Sequence, residues 1–427
     1  MIAVLLNALV LFAAPAAGAV DVAPVWAGHP VGFCLYTHGN QQFVAYYDAE
    51  RCLTVAVRKL GETAWHTAKL SEHVVWDSHN YITLAIDDEG YLHLSGNMHV
   101  VPLIYFRTAK PLDIDPFERV KMTGEREDRC TYPKFLRGPK NELIFTYRDG
   151  SSGKGDQIFN VYDPTAKTWR RLLDTPLLSG ENERNAYLEG PLKGPDGRFH
   201  LAWVWRDTGD CATNHDVSYA RSADFVHWES ASGNPLTLPI TFESAETVDP
   251  IPPGGGVING NVKLGFDSQH RVLVSYHKYD EAGNTQLWAV RLENGAWQKH
   301  QISHWDYRWG FSGGGAIPWE ISVSAIRPDG PGKLKQAFRH IKYGAGAFVL
   351  DEATMQVLDT AQTPPQSPAV EAGKTGMEEQ HAGDLGKSPS PDVRYELRWE
   401  TLGYNRDKPR PGPIPEPSML RVVELGR

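Results

Sequence analysis

One unit of alternating apolar and polar residues recurs along this chain and limits the folds it can adopt. Each copy has an apolar strand, a turn rich in Asp, Gly and Asn, a second apolar strand, and a third strand that ends in an aromatic or charged pair. Two clear copies are "YITLAIDDEGYLHLSGNMHVVPLIYFRT" and "NVKLGFDSQHRVLVSYHKYDEAGNTQLWAVR". Six copies are visible, about 50 to 70 residues apart, and several end in a fourth strand with a Trp, such as "KTWRRL". Units of four antiparallel strands at this spacing are typical of propeller blades, so the pattern predicts an all-β propeller.

The two ends of the chain supply a seventh unit. Its strands are "YELRWETLG" and "SMLRVVEL" near the C-terminus and "VAPVWAGHPV" near the N-terminus. Pairing these strands would close the ring and remove the open sheet edge. We therefore predict a single domain over residues 20–427, a seven-bladed β-propeller of four-stranded antiparallel blades closed by N- and C-terminal strands. A β-sandwich is the competing fold, but it would use roughly half as many strands. Residues 363–392 contain few large apolar side chains and are expected to form a mobile surface loop.

The chain begins with a short apolar run followed by small residues. "AGA" before Val20 fits an A-x-A cleavage pattern, so residues 1–19 are interpreted as a signal peptide and the protein as secreted or periplasmic. A short buried strand is the alternative for this run. No other stretch of the sequence is apolar enough to cross a membrane. The formal net charge of −9 and the lack of a Lys- and Arg-rich stripe argue against nucleic-acid binding, and we expect a monomer.

Cysteines and one short motif bear on the fold rather than on chemistry. The four cysteines are scattered, and Cys34 and Cys52 fall on the first and third strands of one meander, roughly 10 Å apart and too far for a disulfide. We therefore expect mostly free, buried thiols. The stretch "SADFVHW" (residues 222–228) resembles a degenerate Asp-box, in which Asp and Ser side chains cap the backbone of a hairpin turn. Such a turn marks a fold and says nothing about activity.

Polar side chains that are costly to bury occur at the ends of strands in several copies of the unit. In a propeller these strand ends surround one end of the central channel, so residues far apart in sequence can converge there. Each residue alone has a plainer explanation, since a His or Arg at a strand end is usually solvated. Because such residues recur at comparable positions in several copies, they indicate a shared site. The candidates for binding or catalysis are His79, His99, Tyr132, Arg148, Asn185, Tyr187, Arg206, His277 and Arg308.

Four possible functions fit this set of residues unequally. Glycoside hydrolysis normally uses two acidic groups, and Asp77, Glu181 and Glu183 do not form an evident pair. A sialidase-like hydrolase would need three arginines on a carboxylate and a Tyr nucleophile, which Arg148, Arg206 and Arg308 could imitate. β-Elimination on a uronic acid needs a cation on the carboxylate and His or Tyr groups for proton transfer, which fits better. A non-catalytic carbohydrate-binding propeller is the remaining alternative.

Several motifs resemble those of the BNR-type propeller polysaccharide lyases, which include ulvan lyases and rhamnose–glucuronate lyases. They are "DSHNYITLAIDDEGYLHLSGNMHVVPLIYFRT", "TNHDVSYARSADFVHWE", "YHKYDEAGNTQLW" and "LRWETLGYNRDKPRPGPIPEPSMLRV", and the likeness spans residues 30–425. In that family two His lie twenty residues apart around a hairpin, and a Tyr and an Arg lie sixteen apart in the next blade, as His79 and His99 and then Tyr132 and Arg148 do here.

The resemblance implies roles for individual residues. His79 and Tyr132 would be the base and acid pair, with the division between them open. Arg148 would neutralise the uronate carboxylate, assisted by His99. Tyr187 and Arg308 would contact substrate. The implied function is β-elimination on an anionic, ulvan-like rhamnose–uronate polysaccharide, with no cofactor required for the chemistry.

A separate set of side chains suggests a structural metal. "FHLAWVWRDTGDCATNH" supplies His200, Cys211 and His215 from one hairpin, and His277 comes from the following blade. Cys and His ligands suit a closed Zn²⁺ site, and the resemblance also implies that a structural Zn²⁺ or Ca²⁺ ion can be present in this fold. The spacing is not a standard zinc signature, so a metal-free, packed Cys211 is the alternative.

Overall fold

A computed structural model describes residues 18–363 and 376–426, and these form strands almost throughout. Two 3₁₀ turns, Ser78–Asn80 and Cys211–Thr213, interrupt them. The strands of the described residues, in chain order, are β1 (Ala19–Val25), β2 (Cys34–His38), β3 (Gln41–Tyr47), β4 (Cys52–Lys59), β5 (His66–His73), β6 (Ile82–Ile86), β7 (Leu92–Gly96), β8 (His99–Val101), β9 (Tyr105–Lys110), β10 (Asp113–Arg119), β11 (Cys130–Arg137), β12 (Leu143–Ser151), β13 (Lys154–Asp163), β14 (Thr168–Arg171), β15 (Leu178–Ser179), β16 (Asn185–Lys193), β17 (Phe199–Arg206), β18 (Asn214–Ser222), β19 (Trp228–Glu229), β20 (Glu246–Asp249), β21 (Lys263–Phe266), β22 (Val272–Tyr279), β23 (Thr285–Glu293), β24 (Ala296–Gln301), β25 (Ile321–Val323), β26 (Arg327–Pro328), β27 (Lys333–His340), β28 (Gly344–Asp351), β29 (Val357–Thr363), β30 (Met377–Gly383), β31 (Val393–Leu402) and β32 (Ser418–Gly426).

The strands pair into antiparallel sheets of four or more strands. Within residues 18–363 and 376–426 there are seven sheets: β2–β5; β6, β7, β9 and β10; β8 with β11–β15; β16–β20; β21–β24; β25–β29; and β1 with β30–β32. Four of these sheets are runs of consecutive strands, as expected when a short turn connects each strand to its neighbour. The predicted all-β class and the four-stranded antiparallel unit are confirmed.

The hydrophobic core lies between neighbouring sheets. Strand β17 shows why, because it is buried along its whole length. Its side chains alternate between two packing partners: Trp203 and Trp205 contact a cluster that includes Phe159 of the preceding sheet, whereas Val204 lies in a cluster with Val274 of the following one. A strand covered on both faces reads as a continuous apolar run, which is how "FHLAWVW" appears in the sequence.

The N-terminal strand joins the C-terminal sheet. β1 pairs antiparallel with β32, with Val25 opposite Ser418, and β32 continues to β31 and β30. Nearly all of the predicted signal peptide, residues 1–17, lies outside the described residues. In the described part of the chain there is no helix with the length and apolar character needed to span a membrane.

Part of the segment predicted as a loop is a strand. Met377–Gly383 forms β30 and pairs with β31 through seven residue pairs. Met377 is its one buried side chain, and the others are exposed or half-buried. An edge strand needs only one hydrogen-bonded neighbour, so low apolar content did not exclude a strand here. The prediction for residues 363–392 is therefore wrong over β30, and residues 364–375 lie outside the described residues.

The predictions for the cysteines and for the Asp-box turn are confirmed. All four cysteines are free and buried. In the turn, Ser222 Oγ accepts a hydrogen bond from the Phe225 N–H at 2.9 Å, and Asp224 Oδ1 accepts from the N–H groups of Val226 and His227 at 2.8 and 2.7 Å. Both side chains therefore satisfy turn N–H groups that the strands leave unpaired.

The free thiols give a direct test of this packing. We expect the folded protein to react slowly with a thiol reagent, because burial raises the thiol pKa of Cys34 to about 12 and leaves almost no thiolate. After unfolding in denaturant without reductant, four thiols should titrate. Fewer than four under those conditions would mean that a disulfide forms in the native protein.

Candidate active site

A polar cavity of about 220 Å³ collects side chains from several sheets. Five of the nine residues predicted from the sequence for binding or catalysis line it: His79, His99, Tyr132, Tyr187 and Arg206. Its other lining residues are Ser78, Ser152, Gly209, Cys211, Ile258, Asn259, Gly315, Ala316, Ile317, Trp319 and Tyr404. The predicted convergence of strand ends is therefore present for these five residues.

His79 and His99 share one carboxylate. Asp77 Oδ1 lies 2.7 Å from Nδ1 of His79, and Asp77 Oδ2 lies 2.5 Å from Nδ1 of His99. The two imidazoles stack with their centroids 4.0 Å apart and their planes inclined by 20°. Because an ionised carboxylate only accepts hydrogen bonds, each Nδ1 is protonated and each Nε2 is left for another partner.

The histidines hold Asp77 in its ionised form. Burial would raise the pKa of Asp77, but hydrogen bonds from His79 and His99 outweigh burial and keep the pKa well below its usual range. The same carboxylate caps the 3₁₀ turn Ser78–Asn80 by accepting from the His79 N–H at 2.9 Å. Backbone and imidazole of His79 are thus fixed by one side chain.

Two residues next to these rings have strained backbone conformations. Val100 and Tyr132 have φ values of 57° and 58°, in the left-handed region that β-branched and bulky residues avoid. Tyr132 also precedes Pro133, which further restricts its backbone. The two strained segments pair with each other, with His99 opposite Thr131 across β8 and β11. Strain retained by surrounding contacts is a common property of functional sites.

Two arginines lie against the tyrosines of the cavity. The Tyr132 ring is 5.5 Å from that of His79 and 5.9 Å from that of Tyr187. Nη1 atoms of Arg148 and Arg206 lie 3.4 and 3.5 Å from the Tyr187 hydroxyl. Burial raises the pKa of Tyr132 well above its usual value and Tyr187 adds to this, whereas the two guanidinium groups oppose the rise.

Arg148 and Arg206 differ in their access to the cavity. The guanidinium of Arg148 lies 4.9 Å from the centre of the Tyr132 ring, and the residue is 1% exposed, so it sits behind the tyrosines and not on the cavity surface. Arg206 lines the cavity itself and donates from Nε to the Thr208 carbonyl at 3.0 Å. The sequence predicts direct contact between Arg148 and a carboxylate of the substrate. Of the two arginines, however, Arg206 is the one that lines the cavity.

Three other predicted contact residues are not among the cavity-lining residues. His277 is fully buried and packs against Trp309 at 5.2 Å, and burial lowers its pKa to about 4, so it is a neutral core imidazole. Arg308 is exposed and stacks on Tyr279 at 3.7 Å. Asn185 is buried at the start of β16. The structure does not bring these three side chains to the cavity surface.

The predicted metal set does not assemble. His200 lies opposite Arg221, whereas His215 lies opposite Trp205. Since Arg221 is six residues beyond His215 on β18, the two histidines are separated by about 20 Å along the hairpin. His200 lies near the start of β17 and His215 near the start of β18, and the starts of two antiparallel strands are at opposite ends of the pair. The prediction that His200, Cys211, His215 and His277 bind one ion is wrong.

Both histidines of that hairpin have partners already. His200 Nδ1 lies 2.6 Å from the Tyr219 hydroxyl and its Nε2 lies 3.0 Å from Asp196. His215 Nδ1 lies 2.6 Å from Asp216. Among the described residues, the one group of three His, Cys, Asp or Glu side chains whose ligand atoms lie within 4.8 Å of one another is Asp77, His79 and His99. There the two Nδ1 atoms are engaged with the carboxylate.

Two carboxylates of the site were not identified from the sequence. Asp77 was weighed only as an acid for hydrolysis, although its position two residues before His79 suits a carboxylate that orients an imidazole. Asp407 Oδ2 lies 3.5 Å from Nδ1 of His79, across 328 positions of sequence. No local pattern signals such a contact.

Removing the Asp77 charge should destabilise the protein in a pH-dependent way. The folded-state pKa of Asp77 is depressed, so its stabilisation is present above the unfolded-state pKa of about 4 and is lost as the pH falls below that value. We expect Asp77→Asn to lower the free energy of unfolding at neutral pH by about 1.5–3 kcal/mol, the usual scale for hydrogen bonds to a charged group. The difference from wild type should shrink below a pH of about 4, measured by denaturant unfolding.

A surface pair provides the control for that measurement. Asp115 binds His66, but both side chains are more than half exposed. Asp115→Asn should therefore change stability by less than about 0.5 kcal/mol. An Asp77→Asn variant that behaves like Asp115→Asn would contradict the role of the bridging carboxylate.

Comparisons with known proteins agree with this fold. No curated protein matches the chain in sequence. Among solved structures, polysaccharide lyase Uly1 superposes with a TM-score of 0.62 at 13% identity, over 96% of this chain and 99% of that chain. An ulvan lyase of polysaccharide lyase family PL25 has a TM-score of 0.61 at 14% identity over 94% and 95%, and its complex with -[GlcA(1-4)Rha3S]- has 0.60 at 14% over the same shares. This similarity confirms the β-propeller class of fold. The sequence profile of a BNR repeat-containing family matches residues 41–305, which is more than half of the chain, and this protein therefore belongs to that family.

Proposed function

We propose that this protein is a polysaccharide lyase that cleaves an anionic rhamnose–uronate glycan, of the ulvan type, by β-elimination. The observation that carries the proposal is the stacked pair of histidines on Asp77, facing Tyr132 in a cavity backed by two guanidinium groups. The overall similarity to an ulvan lyase bound to -[GlcA(1-4)Rha3S]- supports the substrate class.

β-Elimination breaks the C5–H and C4–O4 bonds of the substrate and uses two proton transfers, one to a base and one from an acid. A base removes the proton from C5 of the uronate, the electron pair forms the C4–C5 double bond, and the C4–O4 bond breaks while an acid protonates O4. Nε2 of His79 and the hydroxyl of Tyr132 are the base and acid, in an order that is open, because both groups line the cavity and their rings lie 5.5 Å apart. Asp77 keeps His79 in the tautomer with Nε2 directed away from the carboxylate. His99 stacks on His79 and helps Arg206 and Arg148 to neutralise the uronate carboxylate.

The arginines stabilise the charge that develops on the substrate. As C5 loses its proton, negative charge grows on the C6 carboxylate, and a fixed cation lowers the energy of that state. Arg206 contacts the carboxylate from the cavity wall, and Arg148 acts from behind Tyr132 and Tyr187. The reaction requires no metal or organic cofactor.

The alternative reactions fit the cavity less well. A sialidase-like hydrolase would need three arginines on one carboxylate, but Arg308 does not line the cavity and Arg148 is buried behind it. A glycosidase would need an acidic pair, but the described residues that line the cavity include no Asp or Glu, and Asp77 behind them is occupied by two imidazoles. A non-catalytic binding propeller would not need an imidazole held in one tautomer beside Tyr132.

The seven sheets within residues 18–363 and 376–426 would be the blades of one closed ring, in which the pairing of β1 with β32 is the closure. The protein would act as a monomer outside the cytoplasm, after removal of residues 1–19. Both features suit an enzyme whose substrate is an extracellular polymer.

The proton-transfer roles predict a large loss of rate. We expect His79→Ala and Tyr132→Phe each to lower kcat on ulvan by about 100-fold or more, the usual scale for general acid–base catalysis. The assay follows the ultraviolet absorbance of the unsaturated uronate product, over a panel of uronate polysaccharides. His227→Ala, at an exposed turn residue, is the matched control and should retain wild-type rate. Wild-type turnover in both site variants would remove these residues from the mechanism.

The arginines should be distinguishable by conservative substitution. Arg206→Ala should lower kcat more than it raises KM, since pairing with the carboxylate strengthens toward the transition state. Arg206→Lys should restore part of the rate, because the charge is kept but the planar fork is lost. Arg148→Lys should also retain part of the rate lost in Arg148→Ala, because its charge acts on the substrate at a distance. Arginine-to-alanine variants with unchanged kcat would exclude charge stabilisation by this pair.

A further inference from the structure

A carboxylate from the end of the chain lies against the turn that presents His79. Asp407, between β31 and β32, has an almost fully buried side chain. Its Oδ1 accepts hydrogen bonds from the Ser78 N–H at 3.0 Å and the Ser78 hydroxyl at 2.9 Å, and lies 3.2 Å from Nε2 of His29. Its Oδ2 accepts from the Ala316 N–H at 2.7 Å and lies 3.5 Å from Nδ1 of His79. One side chain therefore contacts three separate segments of the chain.

The segment around Ala316 is one wall of the cavity. Gly315, Ala316 and Trp319 all line the cavity, within the glycine-rich stretch of residues 310–319. This stretch docks on the residue before Asp407: Arg406 N–H donates to the Ala316 carbonyl at 3.1 Å. A Cβ on Gly315 would lie 2.3 Å from the Arg406 carbonyl oxygen, so only glycine permits this approach.

The backbone of the Asp407 loop is strained. Arg406 and Asp407 have φ values of 55° and 54°, two consecutive non-glycine residues in the left-handed region. Such a conformation costs free energy and persists where surrounding contacts hold it. Here the contacts with Ser78, His29 and Ala316 hold Asp407 in place. Burial would raise the pKa of Asp407, but the hydrogen bonds from His29 and Ser78 outweigh it and lower the pKa to about 2.

We infer that Asp407 is a positioning residue that fixes the His79 turn and the 310–319 wall relative to each other. A shift of Ser78 would move its neighbours Asp77 and His79, and with them the imidazole that exchanges a proton with substrate. A misplacement of about 1 Å is enough to lower a catalytic rate by about 100-fold. Asp407 and Ala316 both lie outside residues 41–305, the part of the chain that the family profile matches. The activity readout of this inference rests on the proposed function, whereas the structural readout below does not.

Asp407→Asn tests the inference with little change in size. One carboxylate oxygen becomes an NH₂ group, which must face an N–H donor of Ser78 or Ala316. We expect amide hydrogen exchange, followed by mass spectrometry, to speed up in peptides covering residues 78–80 and 313–319. On the best uronate polymer, kcat should fall by about 10- to 100-fold with KM within about 3-fold of wild type. The matched control is Asp384→Asn, which loses a carboxylate that accepts from the N–H groups of Thr37 and Gly386 at 2.8 and 2.9 Å, and should show neither change.

Each outcome decides between the alternatives. Wild-type exchange at both segments together with wild-type kcat in Asp407→Asn would overturn the inference. A global rise in exchange would show a general structural role, and Ser78→Ala, which removes only the hydroxyl contact to Asp407, would then decide: a several-fold lower kcat with local exchange at residues 78–80 supports positioning, and no change excludes it. If the wild-type protein cleaves no uronate polymer, the proposed function fails, while the exchange data still decide whether Asp407 couples the two segments.

Discussion

The bridging of two imidazoles by the Asp77 carboxylate is the interaction on which the site depends. It fixes the tautomer of both rings, stacks them, and directs the free nitrogen of each away from the carboxylate. It also caps the short turn that carries His79. A half-buried charge of this kind is stabilised when both of its oxygens accept hydrogen bonds, as the two Asp77 oxygens do. In the proposed reaction, the His79 ring would therefore already be oriented for proton transfer.

The surrounding fold brings distant parts of the chain to this pair. Strained residues at Val100 and Tyr132 set the neighbouring backbone, and the guanidinium groups of Arg148 and Arg206 come from the next two sheets. The last contributions come from the C-terminal sheet, whose strands include β1 from the start of the chain. The site therefore depends on segments near both ends of the chain, as the contact between Asp407 and His29 illustrates.

Local patterns predicted much of this arrangement, and long-range contacts explain what they missed. Alternation and turn residues were enough for the strands, the free cysteines and the Asp-box turn. Strand ends were enough to propose five of the residues that line the cavity. Sequence patterns placed His200 and His215 on one hairpin but did not show that they lie at opposite ends of it. They also did not show that Arg148 would lie behind two tyrosines. The polar edge strand β30 lacks the apolar alternation from which a strand is predicted. The contact of Asp407 with Ser78 joins residues far apart in sequence, so no local pattern predicts it.

The central claim is that the bond breaks by elimination and not by hydrolysis, and the mass balance of one cleavage tests it most directly. A defined uronate oligosaccharide, digested by the wild-type protein, would be analysed by mass spectrometry of both products. Elimination adds no water, so the account predicts that the two product masses sum to the mass of the substrate, with the deficit of one water on the fragment that bears the unsaturated uronate. Products whose masses sum to substrate plus one water would identify a hydrolase and contradict the account.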